Sequence, residues 1–429
     1  MAAIAESATG TYNSQMCSPT NTSKTFHHPG AIAFFLILSS VLIMVSACAT
    51  TAYQYQDAQM SAVRQRSVVQ TEGNLSISAS VPGENETRLI FGVPLYDRGI
   101  QPVWLEIVNR GPDQIRFAPT GLDPDYFSPL EAAYIFRKGF NKEARAQMDR
   151  RFNDSAIPRH IPAGESRSGF VFTHRVPGTK SFTIDLFTSK SDYSFAFFVD
   201  VPGFSPDHAS VDFESIYTQS DISDHDMDSL REALKKERLS TTDQSGLREG
   251  LPSGIVIAAD GGDLLKALLR AGWYETALVK EPEQLKKAYY LYGRTPDAVF
   301  RFQRDKNDRN ELNLWMSPLR VDGKPVWVAQ ITHFIGQRTQ LEQVILGSRI
   351  DPEIDNGRNY FVQNMWYAQS LKQFAYLNTG HAVSIDNTRT DFNGAEFFTD
   401  GNVTVLWLSG TTVSQLETAF VDWDDPVFR

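Results

Sequence analysis

The feature that most constrains this chain is the uncharged run from Ala31 to Ala47, AIAFFLILSSVLIMVSA, which leads straight into Cys48. At 17 residues it stands at the short limit for a bilayer-spanning helix, which needs about 20 apolar residues. It also has the length of a signal-peptide core, with a weakly basic leader of Lys24, His27 and His28 before it. No other segment is long and apolar enough to enter a bilayer, so a polytopic membrane protein is excluded. The 429 residues suit two domains plus ends, and a hydrophobic fraction of 41% is enough for real cores. Two cysteines cannot staple a chain of this length, which excludes a disulfide scaffold. A net charge of −10 argues against a general nucleic-acid binder, whose surface must be basic.

Cys48 follows Val45-Ser46-Ala47, and this end resembles the bacterial lipobox. There the small residues admit the signal peptidase, and the thiol takes a diacylglycerol before becoming the new N-terminus. The resemblance implies a lipid-anchored protein of the cell envelope, whose partner is membrane lipid through acylated Cys48. Ala49, rather than Asp, follows the cysteine, which resembles the outer-membrane-destined pattern and places the domains on the periplasmic side. The alternative is an uncleaved, single-pass anchor in the inner membrane, favoured by a leader of about 30 residues. Met16 offers a second start that shortens the leader. Cleavage discards Cys17 and consumes Cys48, leaving the folded part without a thiol. The discarded piece carries Glu6 and Lys24, so the mature chain keeps its net −10.

Residues 1–47 are thus read as leader and signal, and 48–73 as a polar tether. Residues 74–202 predict a β-sandwich-like domain. Strand candidates are 75–80, 103–109, 115–118, 169–173, 182–187 and 193–201, parted by turns such as Arg110-Gly111-Pro112-Asp113. A helical insert interrupts them. Ser128-Pro129-Leu130-Glu131 is a capping box with proline at the first helical position, and residues 141–152 form a second helix rich in Arg and Lys. Residues 203–251 are expected to be an acidic linker with one helix over 227–238. They lack the glycine and glutamate spacing of a calcium loop.

From Ile255 the pattern becomes α+β. Ile255–Ala258 is an apolar strand, Asp263 caps a helix over 264–271, and 288–291 and 298–303 are strands. Asp322-Gly323 between two apolar runs signals a tight hairpin. A two-residue turn there pairs Leu314 with Ile331 and Leu312 with His333. Asp351-Pro352-Glu353 opens a helix expected to reach Leu377, with Asp351 as its cap, and 403–408 is a late strand. The fold class is therefore α+β: a mainly-β domain, then an α+β domain over 252–429 with an antiparallel hairpin and packed helices.

The chain lacks a Gly-x-Ser-x-Gly elbow, a P-loop, a dinucleotide-binding glycine run, Cys-x-x-Cys and His-Glu-x-x-His. No cofactor or metal is expected from it. What remains is a set of short motifs in the C-terminal region: Leu291-Tyr292-Gly293-Arg294, the Trp315 strand, Asp322 to Trp327, and Arg349-Ile350-Asp351-Pro352-Glu353-Ile354-Asp355-x-x-Arg358. Together with Ala271-Gly272-Trp273 they resemble the LssY C-terminal domain family. Two positions depart from that pattern: Ser348 stands where a histidine is expected, and Phe334-Ile335-Gly336 where an acid is expected. The resemblance implies a domain without an established activity. A site near His333, Asp351, Asp355 and Arg358 would make the protein an envelope hydrolase or phosphatase-associated enzyme. The reading preferred here is structural: a satisfied His333, a capping Asp351, and Arg358 paired with Asp355 or Glu353. Trp315 and Trp327 are expected in the core. Binding or assembly at the membrane surface is then the expected role, with turnover the alternative.

Overall fold

The structure is a computed structural model and describes residues 52–57, 59–276, 287–303, 309–335 and 349–423. The apolar run, Cys48 and Ser348 lie outside them. The chain first forms helix α1 (Met60–Gln65), strands β1 (Val68–Glu72) and β2 (Leu75–Ser80), helix α2 (Glu84–Phe91), and strands β3 (Ile100–Asn109) and β4 (Ile115–Ala118). Helices α3 (Pro129–Tyr134) and α4 (Lys142–Ser155) follow, then β5 (His160–Ile161), β6 (Ser166–His174), β7 (Lys180–Phe187) and β8 (Asp192–Val199). Two four-stranded antiparallel sheets result, ordered β1-β2-β3-β6 and β5-β4-β7-β8.

Alternation decides what each sheet buries. Ile77, Val103, Leu105 and Ile107 from the first sheet meet Phe117, Ile184, Leu186 and Phe197 from the second in one core. This is sandwich packing, with inner faces interdigitated. The outer face of the first sheet is also apolar. Ile100, Trp104, Phe170 and Phe172 pack there against Phe91 of α2 and Met148 and Phe152 of α4. The insert is thus a third layer. The expected Ser128 cap holds, with Oγ accepting from Glu131 N, and the structure adds an Asn141 cap, whose Oδ1 accepts from Ala144 N.

The tether reading needs correction. Tyr53 is buried and donates its hydroxyl to the Phe91 carbonyl at 2.7 Å, and Val63 of α1 is fully buried. Residues 60–65 and 68–72 are helix and strand, so the described part of 48–73 belongs to the domain.

The second region contains β9 (Ser223–His225), α5 (Met227–Lys236), β10 (Ser240–Thr242), β11 (Glu249–Pro252), β12 (Ile255–Ala258), α6 (Gly261–Arg270), β13 (Tyr274–Glu275) and β14 (Ala298–Gln303). It continues through β15 (Arg309–Val321), β16 (Lys324–Ile335), β17 (Arg349–Ile350), α7 (Asp355–Tyr367), β18 (Leu371–Asn378), β19 (Arg389–Thr390), β20 (Glu396–Phe397), β21 (Asn402–Leu408) and β22 (Ala419–Val421). A ten-stranded mixed sheet runs β13-β14-β15-β16-β12-β21-β18-β22, with β9 on β15 and β17 on β16. Strand β12 lies centrally, antiparallel to β16 and parallel to β21. Ile255 and Ile257 face the core under α6 and α7, while Val256 and Ala258 face that under α5. Burial on both faces explains its unbroken apolar sequence.

The linker reading fails for a similar reason. Asp207 is buried and accepts from Val299 N at 2.9 Å, and Leu230 and Leu234 of α5 lie in the core. These residues are part of the second region. The two regions meet at Glu275, whose carboxylate accepts from Thr179 N and His208 Nε2, both at 2.7 Å.

Four other expectations are corrected. The turn at Asp322-Gly323 pairs Val321 with Lys324 as expected, but Leu312 pairs with Ile331 and Leu314 with Ala329. Two extra residues bulge between Met316 and Arg320, where Pro318 has no amide proton for the ladder. Because the shift is even, the apolar face survives. Helix α6 begins after Asp260 rather than Asp263. Helix α7 ends at Tyr367, and 371–378 is a strand. Residues 288–291 form no strand and make isolated bridges only.

Candidate functional site

Helix α7 brings Arg358 beneath the loop between β20 and β21. Its guanidinium forks onto Asp400, with Nη1 at 2.8 Å from Oδ1 and Nη2 at 2.7 Å from Oδ2. It also donates to the Asn402 carbonyl and lies 3.2 Å from Asp355 Oδ1. Asp355 accepts from Thr399 Oγ1 at 2.8 Å and from Asp400 N at 2.7 Å. The turn needs Gly401: its φ is +77°, and an added Cβ would stand 2.6 Å from Ala382 N.

The charges divide the work. Burial pushes Asp355 above the usual carboxylate range, and the Arg358 charge only partly offsets this. Burial also acts on Asp400, but the Arg358 hydrogen bond outweighs it and holds that carboxyl below its ordinary value. Arg358 itself is raised, because its two carboxylates outweigh burial. It is a permanent buried cation.

This cluster forms one wall of a cavity of about 240 Å³. Ser253, Gly254, Asn402 and Thr399 line it beside Arg358 and Asp355, with Phe397, Val383 and Leu239 as apolar surface. Four buried polar atoms in this corner have no hydrogen-bond partner: Ser253 Oγ, Arg358 Nε, Asn402 Oδ1 and Thr404 Oγ1. Each such atom typically costs about 1–3 kcal/mol. At the rim, Arg238, Arg389 and His381 have no ion-pair partner among the described residues, and Glu237 and Glu249 stand near them. Donors and acceptors are thus both on offer.

The four sequence candidates separate. Asp355 and Arg358 come together in the cavity wall. His333 and Asp351 are not among the lining residues. His333 Nδ1 lies 2.9 Å from Asn310 Oδ1, and it is the His333 carbonyl that accepts from Asp351 N. Asp351 is not the helix cap. Its carboxylate accepts from Glu353 N and Asn356 Nδ2 in the turn before α7, whose cap position is Ile354. Among the described residues there is no cluster of His, Cys, Asp or Glu that could hold a metal. Trp315 and Trp327 are core residues.

Arg294, from the Tyr-Gly-Arg run, is a brace. It forks onto Asp297 at 2.8 Å twice and donates to the Met316 carbonyl and Tyr217 hydroxyl. Its guanidinium lies over the rings of Tyr217 and Tyr292, at 5.3 and 5.5 Å. This explains the motif as support for β14 and β15 rather than as chemistry.

The family model for the LssY C-terminus matches residues 287–403. This part of the chain is an LssY C-terminus domain. The match takes in Arg294, Trp315, the hairpin, Arg358 and Asp400, and leaves out Ala271-Gly272-Trp273. The folded unit is larger than the match. Central strand β12 and the cavity residues Ser253 and Gly254 precede it. A comparison with curated proteins found no match. Sequence reading missed Asp400, Asn402 and Ser253. Asp400-Gly401 is a turn dipeptide, but nothing in the sequence links it to Arg358, 42 residues earlier.

Proposed function

We propose that this protein is an envelope lipoprotein, acylated at Cys48, whose LssY C-terminus domain binds a small polar molecule without turning it over. The observation that carries the binding reading is the cavity beside Arg358, with its unpartnered buried Ser253 Oγ, Arg358 Nε and Asn402 Oδ1. A binding site tolerates such groups because affinity for a ligand repays them. The carboxylate nearest the cavity, Asp355, is already engaged by Arg358, Thr399 Oγ1 and the Asp400 amide. It is not poised as a base. The hydrolase reading loses its constellation, since His333 bonds to Asn310. Among the described residues no helix is long and apolar enough to cross a membrane. The anchoring reading therefore rests on the sequence before residue 49.

Membrane partition and mass of the wild type and a Cys48→Ala variant test the anchor. The wild type is expected to carry a diacylglycerol, and the variant to keep its leader. Equal mass and equal retention sink the lipoprotein reading. A thermal-shift screen of small polar compounds tests binding. Hits are expected to disappear in Arg389→Ala or Ser253→Ala, and turnover of a hit by the wild type would replace binding with catalysis.

A further inference from the structure

The described chain is packed into the first domain almost from its first residue. Tyr53 is buried, bonded to the Phe91 carbonyl and set edge-on to Phe140 with centroids 6.1 Å apart. Asp57 pairs with Arg151 of α4 at 2.7 Å, and Arg151 also covers the Tyr55 ring at 4.2 Å. The chain is therefore clamped to the helical insert from Tyr53 onward. Four residues separate Cys48 from Tyr53, and the five steps between them span at most about 18 Å when fully extended. A free tether to residue 73 would allow roughly 85 Å. The insert and Phe91 are what the chain packs on at Tyr53, the buried residue nearest Cys48 in sequence.

The insert also has the surface for that position. Leu130, Tyr134 and Ile135 are 52%, 66% and 37% exposed on and just after α3. Arg137 lies over the Tyr134 ring at 5.0 Å, and Lys138, Lys142 and Arg145 are exposed alongside. Residues 129–152 hold six cations against three carboxylates, in a chain of net charge −10. One of those carboxylates, Asp149, is paired with Arg137, and another, Glu131, serves the Ser128 capping box. An exposed aromatic and leucine flanked by exposed cations is the composition of a surface that rests in the lipid headgroup layer.

We propose that α3 and the start of α4 dock on an anionic bilayer surface through Leu130, Tyr134, Lys138, Lys142 and Arg145, so that the anchored protein is held against the membrane in one orientation. This rests on the lipoprotein reading. Tyr134 sits at headgroup depth and the cations meet lipid phosphates, an attraction that salt weakens within a Debye length.

The test uses the full lipidated chain reconstituted in vesicles. With Cys17 removed and Cys48 acylated, a single introduced cysteine is the only thiol. Tyr134→Cys and Leu416→Cys are each labelled with an environment-sensitive fluorophore. Leu416 belongs to the rival exposed apolar patch with Trp366 and Tyr367. Brominated phosphatidylcholine is expected to quench the label at 134 and not at 416. Quenching is expected to rise when phosphatidylglycerol is added, and that rise to vanish in Lys138→Glu/Lys142→Glu/Arg145→Glu. An unquenched 134, or quenching at 416 instead, overturns the docking proposal. Mass of the N-terminal peptide separates the two readings: acylated Cys48 with an unquenched 134 sinks docking alone, whereas unmodified Cys48 sinks the anchor and docking together. Thermal midpoints matching the wild type show that the variants fold.

Discussion

The sandwich and the second region, which contains the LssY C-terminus match, bury charge very differently. In the sandwich and its insert the one charged residue that is buried is Lys180, among the described residues. The second region buries Asp207, Asp243, Glu275, Asp297, Arg358 and Asp391. The apolar cores are of similar kind, so the contrast does not come from a shortage of hydrophobic residues. Buried ions are poor sources of stability, because desolvation consumes most of the Coulomb gain. Their concentration in one region says that its long loops are held by polar networks. It also says where a ligand can find a preformed polar surface. The first region has an outer layer with exposed apolar side chains, and the second carries the candidate site.

Breaking the Arg358 network is the strongest attack on this contrast. Arg358→Met leaves the part-buried Asp355 and the exposed Asp400 without their cation, and the loss of hydrogen bonds to a charged group costs about 1.5–3 kcal/mol. Chemical denaturation of the full chain is expected to show that loss in the second region's transition. Arg358→Lys is not expected to restore it, since an ammonium cannot fork onto Asp400. A loss below about 1 kcal/mol would put this network on a par with a surface pair and remove the contrast.

Lys180 tests the other side. Its ammonium donates to Gln101 Oε1 at 2.9 Å and to the His174 carbonyl at 2.7 Å. Burial pulls its pKa down to about 8 from 10.5, against the opposing charge of Asp123. Between those two values the unfolded chain holds the proton and the folded chain does not. Stability therefore rises as pH goes from about 8 to 10.5, by up to about 3 kcal/mol, and the gain is absent below 8. Following the sandwich transition across that window, with Lys180→Met as the flat reference, checks both sign and place. A slope of the same size in the variant would assign it to other groups.

His208→Ala probes the seam between the regions. Glu275 is almost fully buried, keeps Thr179 N and loses its imidazole partner. A hydrogen bond to a charged group is worth about 1.5–3 kcal/mol, and a loss near 1–2 kcal/mol is expected since the second bond remains. The regions are also expected to melt less concertedly, which calorimetry reads directly. An unchanged transition would mean that the seam is held elsewhere.

What was legible in the sequence follows the same divide. Six strands of the sandwich were readable from alternation and the first insert helix from its Ser128 capping box, whereas Val68–Glu72 was taken for tether and His160–Ile161 was not read. The second region misled wherever a tertiary contact replaced a local signal. Helix α7 stops because Gln369 adopts φ +56°, the left-handed stop usually marked by glycine, so the helical pattern was read on to Leu377. The acidic stretch looked like linker because its composition is polar, yet Asp207 is buried as an acceptor for strand β14. The hairpin register was missed by two residues, since a bulge at Pro318 leaves the alternation intact. Of the site, Asp355 and Arg358 were visible through their helical spacing. Asp400, Asn402 and Ser253 were not, because they meet Arg358 only after β12 and β21 pair.

The smallest expected effect sharpens the comparison most. Within the insert, Phe140 and Phe152 face the satellite core, whereas Leu130 and Tyr134 face outward. Leu130→Ser and Tyr134→Ser remove no buried contact, so each is expected to shift stability by less than about 0.5 kcal/mol. Phe152→Ala in the same layer is expected to cost about 3–5 kcal/mol. Denaturation of the unattached chain in detergent reads both. If the outward pair proves as costly as Phe152, those side chains are structural and the insert is ordinary third-layer packing. If they are silent in stability yet alter how the anchored protein rests on vesicles, their exposure is explained by the membrane and not by the fold.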